Sequence, residues 1–121
     1  MENQNFIEIQ QVLDLYFEGI YRGDVEKLEH AFHPHALLFG DVDQNPYFKT
    51  LKEYLEAVKN RQSPADQGEA FDMKVYGIEV LGNLAIAKAN LCMLNYNYHD
   101  FLSLVKSGNR WKIVNKSFTN S

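Results

Sequence analysis

The sequence predicts an α+β fold in which helices come first and a curled antiparallel sheet follows. Two observations support this prediction. Apolar residues recur with helical spacing up to about residue 60, whereas from Glu69 onward they alternate or run continuously between turn signals. Helices followed by strands are typical of domains in which helices cover one face of a sheet. With 121 residues, the chain suits a single domain over residues 1–121, because two cores would each bury too little surface.

The first half of the chain begins with two predicted helices. Residues 5–22 carry an apolar stripe with helical spacing, and Gly23 breaks that pattern. Asp24 can accept the free N–H groups of a second, shorter helix over residues 25–32. Pro34 ends that helix because it has no N–H to donate and disfavours helical backbone in the residue before it.

A short strand, a loop and a third helix follow. Residues 35–39 are short and apolar, as in a strand, and residues 40–46 are rich in turn residues, which predicts a loop. Thr50 and Glu53 have the spacing of a capping box, in which each side chain satisfies one free backbone donor of a helix. We therefore expect the third helix to begin at Thr50.

The second half of the chain predicts a meander of strands. Gly82-Asn83 and Gly108-Asn109 are good two-residue hairpin turns, because these residues tolerate the positive φ that such turns need. The predicted strands cover residues 70–81, 84–96, 98–106 and 110–118.

One of these strands is apolar on both faces. Between Ile86 and Met93, apolar side chains occupy both odd and even positions. A sheet that is apolar on both sides needs two covers. The helices supply one cover, and a second copy of the chain is the simplest second one, so we expect a homodimer formed through the sheet.

Composition and charge limit the classes of molecule that the protein can be expected to bind. The net charge of −4 gives no electrostatic footprint for nucleic acid, and no apolar run is long enough to span a membrane. A single cysteine, Cys92, cannot form an intrachain disulfide, which together with the absence of a signal-like start favours the cytoplasm. Aromatic residues make up 13% of the chain, enough to line a pocket for a small apolar or aromatic molecule.

Asp100 is the candidate catalytic residue. It lies in an apolar strand beside Phe101, where an ionised carboxylate is costly unless it finds a partner. Facing a cavity, it can act as a general base; near the strand end, it can simply be satisfied by a turn or a lysine. Its expected neighbour depends on register: a two-residue turn at Gly108-Asn109 places Asn115 on its face, and a three-residue loop places Lys116 there.

Other polar and aromatic side chains complete the predicted pocket. Buried tyrosine hydroxyls and strand amides need hydrogen-bond partners, and a cavity wall supplies a place for them. His33-Pro34-His35 lacks further ligands at suitable spacing, so we predict no metal site and no cofactor. The predicted pocket residues are Tyr16, His35, Tyr54, Asn90, Phe101, Trp111 and Asn115.

Four stretches of the chain resemble the putative lumazine-binding family, within the superfamily of nuclear transport factor two, ketosteroid isomerase and the polyketide cyclases. The resemblance runs over about residues 5–119 and implies a cone-shaped α+β fold, a cavity between three helices and a concave sheet, and dimers formed through the sheets. The stretches are Tyr16-Phe17-x-Gly-Ile-x-x-Gly-Asp24, Ala-Phe-His-Pro-His-Ala at 31–36, Asp-Phe-Leu-Ser-Leu-Val-Lys at 100–106 and Trp-Lys-Ile-Val-Asn-Lys at 111–116.

Three functional hypotheses follow from the residues and the resemblance. The first is a small-molecule-binding domain with an apolar aromatic cavity. The second is a cofactor-independent isomerase or dehydratase, in which Asp100 removes a proton next to a carbonyl and Tyr16, Tyr54 or Asn115 stabilises the oxyanion. The third is a protein-interaction module that uses the sheet face or the loop over residues 41–47.

Overall fold

The computed structural model describes residues 2–121 and confirms the predicted α+β order. Within these residues no helix is both long and apolar enough to cross a membrane. The helices are α1 (Glu2–Arg22), α2 (Val25–Ala31) and α3 (Leu51–Asn60). The strands are β1 (Phe32–Val42), β2 (Asn45–Thr50), β3 (Met73–Leu81), β4 (Leu84–Met93), β5 (Tyr96–Ser107) and β6 (Arg110–Asn120).

The six strands form one curved, unclosed sheet in the order β2-β1-β6-β5-β4-β3. All neighbouring strands are antiparallel except β1 and β6, which are parallel. We call the face turned toward the helices the inner face and the opposite one the outer face. The core lies between the inner face and the helices, and its fully buried side chains include Ile9, Leu13, Ile20, Leu102, Leu104 and Ile113.

The predicted helix signals act as expected. Gly23 ends α1 with a φ of +67°, a conformation that glycine adopts without strain. The Asp24 carboxylate accepts the Lys27 N–H at 3.2 Å and caps α2. Thr50 and Glu53 form the reciprocal capping box of α3. Residues close together in sequence therefore determine where α2 and α3 begin.

The predicted loop over residues 40–46 is wrong, because most of it is a hairpin between β1 and β2. Only Asp43 and Gln44 turn the chain, with φ values of +51° and +68°. The Asp41 carboxylate accepts the Gln44 N–H at 2.9 Å and supports this turn. Pro46 fits because β2 is an edge strand, where a missing N–H costs little.

The turn between β4 and β5 also differs from the prediction. We expected the first of these strands to reach residue 96, but it ends at Met93, and Leu94 and Asn95 make a turn with φ values of +51° and +72°. The Glu69 carboxylate accepts the Leu94 N–H at 3.0 Å and holds the turn from outside. This distant partner cannot be read from the local pattern.

A β-bulge in β6 determines which side chains reach the inner face. Ser107 pairs with Arg110, so the β5–β6 turn has two residues, as the first of the two register alternatives assumed. Further along, Ile113 pairs with Leu104 but Asn115 pairs with Ser103, so Val114 is an extra residue in the ladder. Beyond this point the alternation is reversed. Lys116 therefore lies on the inner face, where unbroken alternation would put Asn115.

Candidate functional site

A cavity of about 80 Å³ opens on the inner face beneath α3. Most of its wall is apolar or aromatic, with polar side chains from α3, β5 and β6 and from the residue after α3. The apolar and aromatic lining residues are Val42, Tyr47, Leu91, Met93, Tyr98 and Phe118, and the other lining residues are Tyr54, Arg61, Asp100 and Lys116.

Asp100 and Tyr16 form a buried pair at this cavity. Asp100 is 1% exposed and Tyr16 is fully buried. The Tyr16 hydroxyl donates a hydrogen bond to Oδ2 of Asp100. The carboxylate therefore has a donor that offsets part of the cost of taking a charge out of water, and the bond joins α1 to β5.

Lys116 supplies the opposite charge. Its Nζ lies 4.0 Å from Oδ2 of Asp100, close enough for attraction but beyond hydrogen-bond length. The ammonium also lies 5.3 Å from the ring centre of Tyr16, 4.9 Å from that of Tyr54 and 4.8 Å from that of Phe118. Three aromatic rings thus favour the positive charge of a lysine that is 5% exposed.

Two polar groups of the wall lack partners within the part of the chain that the structure describes. The hydroxyl oxygen of Tyr54 is buried and makes no hydrogen bond, and the same is true of Nε and Nη2 of Arg61. Buried polar groups in native proteins are nearly always hydrogen-bonded, to protein or to ordered water. These three atoms are therefore available to a molecule in the cavity.

Burial keeps three tyrosines near the cavity, Tyr16, Tyr47 and Tyr98, in the protonated form. Burial raises the pKa of Tyr16 well above its ordinary value of 10.0, and the neighbouring Asp100 charge raises it further. Burial is also the main reason that the pKa values of Tyr47 and Tyr98 are raised. Near neutral pH these hydroxyls are neutral hydrogen-bond donors.

Three of the predicted site residues lie together at this cavity. Asp100 and Tyr54 line the cavity, and Tyr16 reaches it through its bond to Asp100. Of the two alternative neighbours of Asp100, the structure brings Lys116 to the carboxylate, whereas the Asn115 amide oxygen accepts a hydrogen bond from Ser117 at 3.0 Å.

Four other predicted pocket residues lie outside the cavity. His35 is exposed on β1. The Asn90 amide is on the outer face, bonded to Oδ1 of Asn97 at 2.6 Å. Phe101, 49% exposed, is also on the outer face, because Asp100 and Leu102 take the inner positions of β5. Trp111 is buried, but its indole N–H donates to Asn5 at 3.3 Å, away from the cavity.

The paired histidines do not form part of a larger cluster in the described residues. The His33 and His35 rings lie 5.5 Å apart, and the His35 N–H donates to Nδ1 of His33 at 3.0 Å. No group of three His, Cys, Asp or Glu side chains suited to a metal ion occurs within residues 2–121.

Sequence reasoning missed Arg61, although a signal for it exists. Leu51, Tyr54 and Val58 are the buried residues of α3, and Arg61 continues their spacing by one further step. A cation on the apolar stripe of a helix faces the interior. Phe118, by contrast, reaches the cavity only because the bulge reverses the alternation of β6, and no local signal predicts that bulge.

Replacing Tyr16 with Phe should change how stability depends on alkaline pH. Because the pKa of Tyr16 is raised in the folded chain, folded Tyr16 keeps its proton at pH values above 10.0, where Tyr16 of the unfolded chain releases it. The contribution of Tyr16 to the free energy of unfolding is complete below that pH. Above it, the contribution falls by about 1.4 kcal/mol per pH unit.

Urea unfolding from about pH 9 to 12 measures this dependence. The wild-type curve should fall more steeply than the Tyr16→Phe curve, although the variant is less stable at pH 9 because Asp100 has lost its donor. Tyr76, which is 55% exposed, provides the control, and Tyr76→Phe should keep the wild-type slope. Equal slopes for Tyr16→Phe and wild type would contradict the raised pKa.

Comparisons with known proteins agree with this fold. Aldolase FrzH from Cladobotryum sp is 29% identical over 108 residues, which cover 85% of this chain and 81% of the aldolase. Crystal structures of NTF2-like proteins of unknown function also match. That from Shewanella baltica OS155 has a TM-score of 0.85 at 22% identity and covers 100% of this chain and 97% of its own.

A second such structure, from Methylobacillus flagellatus KT, has a TM-score of 0.83 at 25% identity and covers 98% of this chain and 93% of its own. The model of the family described as Putative lumazine-binding matches residues 4–119. Because this match spans nearly the whole chain, the chain belongs to the Putative lumazine-binding family, within the NTF2-like superfamily.

Proposed function

We propose that the protein binds a small molecule in the cavity beneath α3. The observation that carries this proposal is the hydroxyl of Tyr54, which is buried at the cavity wall without a partner in the described residues. A hydrogen bond from a ligand to such a group contributes about 0.5–1.5 kcal/mol, net of the bond to water that it replaces. The family to which the chain belongs carries the same expectation in its description.

The walls favour an apolar or aromatic ligand with one polar end. Leu91, Met93 and Phe118 offer hydrocarbon contacts, and the polar atoms gather around Asp100 and Lys116. A volume of about 80 Å³ is well below the range of about 300–1,000 Å³ that is usual for drug-sized ligands. The ligand is therefore either small or enters with one end only.

Catalysis by Asp100 is a second candidate function. Both contacts of the carboxylate, from Tyr16 and Lys116, fall on Oδ2, and no hydrogen bond from the described residues falls on Oδ1. Oδ1 can take a proton from a carbon next to a ligand carbonyl. The electron pair then moves to the carbonyl oxygen, where the Tyr54 hydroxyl donates a hydrogen bond to the enolate.

The similarity to an aldolase supports this second candidate, because aldol chemistry also begins with an enolate or its equivalent. The protonated Asp100 returns the proton at another position in an isomerase or to a leaving hydroxyl in a dehydratase. Tyr16 keeps Asp100 in place in each case and does not meet the ligand. No step in this sequence requires a cofactor.

We also propose that two copies associate through the outer face. Phe101, Ser117, Phe39 and Phe48 are direct partners in the ladders, so they form one row across β5, β6, β1 and β2. The three phenylalanines are 47–54% exposed. An apolar row across four strands is typical of an interaction surface.

Native mass spectrometry and a titration test the binding function. The protein as purified should carry an extra mass that is lost on denaturation. With ligand-free protein, benzamide should shift the amide NMR signals of Leu91, Tyr98 and Phe118 at the cavity, and Tyr54→Phe should weaken this binding at least about threefold. The proposal fails if no mass is bound and benzamide leaves the cavity signals unchanged. Tyr76→Phe is the matched control variant.

Hydrogen–deuterium exchange tests the catalytic candidate. In D₂O the protein should accelerate exchange of the protons next to the carbonyl of acetophenone or phenylpyruvate, because Asp100 removes them. Asp100→Asn keeps an acceptor for Tyr16 but is no longer a base, so exchange should fall at least about 100-fold. Exchange at the buffer rate with both ketones, or equal rates for variant and wild type, would rule out this role.

Size-exclusion chromatography with light scattering tests the dimer. Phe39→Glu places a charge in the centre of the row and should convert a dimer into a monomer. Leu81→Glu is the control, because Leu81 is 79% exposed at the β3–β4 turn and lies outside the row. A wild-type protein that is monomeric at high concentration would contradict the proposal.

A further inference from the structure

We propose that Arg61 and Tyr54 form a carboxylate-binding subsite, and that the ligand of this cavity is a small organic monoacid. This inference rests on the binding function proposed above and names the chemical class of the ligand. Three observations support the inference: the position of Arg61, the polar atoms without partners, and the charges in the cavity wall.

Arg61 is placed by the end of α3. It is the C-cap residue, and its extended backbone, with φ −100° and ψ 159°, ends the helix two turns after Tyr54. Both side chains therefore lie at the same cavity wall. The Arg61 side chain is partly buried, and its inner atoms are those without partners.

The identity of those atoms points to a carboxylate. Nε and Nη2 lie on the same edge of the guanidinium group, and their two N–H bonds run parallel. This edge matches the two oxygens of a carboxylate, which it binds through a pair of charge-assisted hydrogen bonds. The Tyr54 hydroxyl, also without a partner, can donate a third bond to the same group.

The net charge of the cavity wall also favours a carboxylate ligand. Asp100 and Lys116 offset each other across 4.0 Å. Arg61 has no acidic partner within 4.0 Å among the described residues, so the wall carries a net charge of +1. A partly buried cation without a counter-ion gains from an anion that binds beside it. A ligand with one negative charge balances the site.

Asp100 sets the limit of one charge. Because the Lys116 charge is already offset by Asp100, a second anionic group would find no further uncompensated cation among the described lining residues. It would lie near the Asp100 carboxylate or against the apolar Leu91 and Met93. Like charges repel, and an apolar wall cannot solvate an anion. The rest of the ligand is therefore uncharged, either hydrocarbon or a carbonyl compound.

The experiment compares two probes of nearly the same shape, benzoate and benzamide, by calorimetry and NMR titration. Wild-type protein should bind benzoate at least about tenfold more tightly than benzamide, because only benzoate carries a negative charge that can balance the charge of Arg61. Arg61→Gln should bind both probes alike. Arg61→Lys, which keeps the charge but not the paired donors, should retain part of the preference.

Arg22→Gln is the matched control. Arg22 pairs with Glu18 at the surface, so this variant should keep the full preference for benzoate. Arg61→Gln should melt no lower than wild type, because it removes a partly buried cation that has no acidic partner among the described residues. Phthalate, a dianion of the same ring size, should bind at least about tenfold more weakly than benzoate.

The outcomes separate this inference from the function on which it rests. Equal affinity of wild type for benzoate and benzamide, or a full preference retained in Arg61→Gln, overturns the subsite and leaves small-molecule binding intact. Phthalate binding as tightly as benzoate overturns the restriction to monoacids. If neither benzoate nor benzamide shifts the cavity signals, the subsite fails. The proposed binding function fails with it when the purified protein also carries no bound mass.

Discussion

A carboxylate buried between the helices and the sheet constrains the rest of this structure. Asp100 is nearly without solvent, so its charge needs partners inside the protein, and Tyr16 and Lys116 supply them. Each partner has its own requirements. Tyr16 brings α1 against β5, and Lys116 needs an environment that tolerates a cation, which the surrounding rings provide. One buried charge thus explains why an apolar core contains a polar, aromatic-lined cavity.

The bulge at Val114 is the backbone feature that makes this arrangement possible. Without it, the residue beside Asp100 would be an amide, which carries no charge to offset the carboxylate. With it, an ammonium and the ring of Phe118 both turn inward. The bulge therefore links local strand geometry to the charge balance of the cavity, a role for which bulges near functional sites are well suited.

The sequence predicted what depends on local chemistry. The caps at Asp24 and Thr50, the Gly108-Asn109 turn and the helix-then-sheet order all rest on residues close together in the chain. Three features were missed because distant residues decide them. The turn at Leu94 relies on Glu69, β2 tolerates Pro46 only as an edge strand, and the bulge has no local signature. Asp100, Tyr16 and Tyr54 were predictable as polar groups in apolar patterns, whereas Phe101 and Asn90 were assigned to the wrong face.

The parallel pairing of β1 with β6 has a consequence for how the chain folds. Leu37 pairs with Asn115, and Tyr16 bonds to Asp100, so both contacts close loops of more than 75 residues. Contacts so far apart in sequence slow folding, because chain entropy is lost before they form. During synthesis the first two helices and the β1–β2 hairpin leave the ribosome long before their partner strands exist. The cavity, which needs Lys116 and Phe118 of β6, is therefore completed only after residue 118 has emerged.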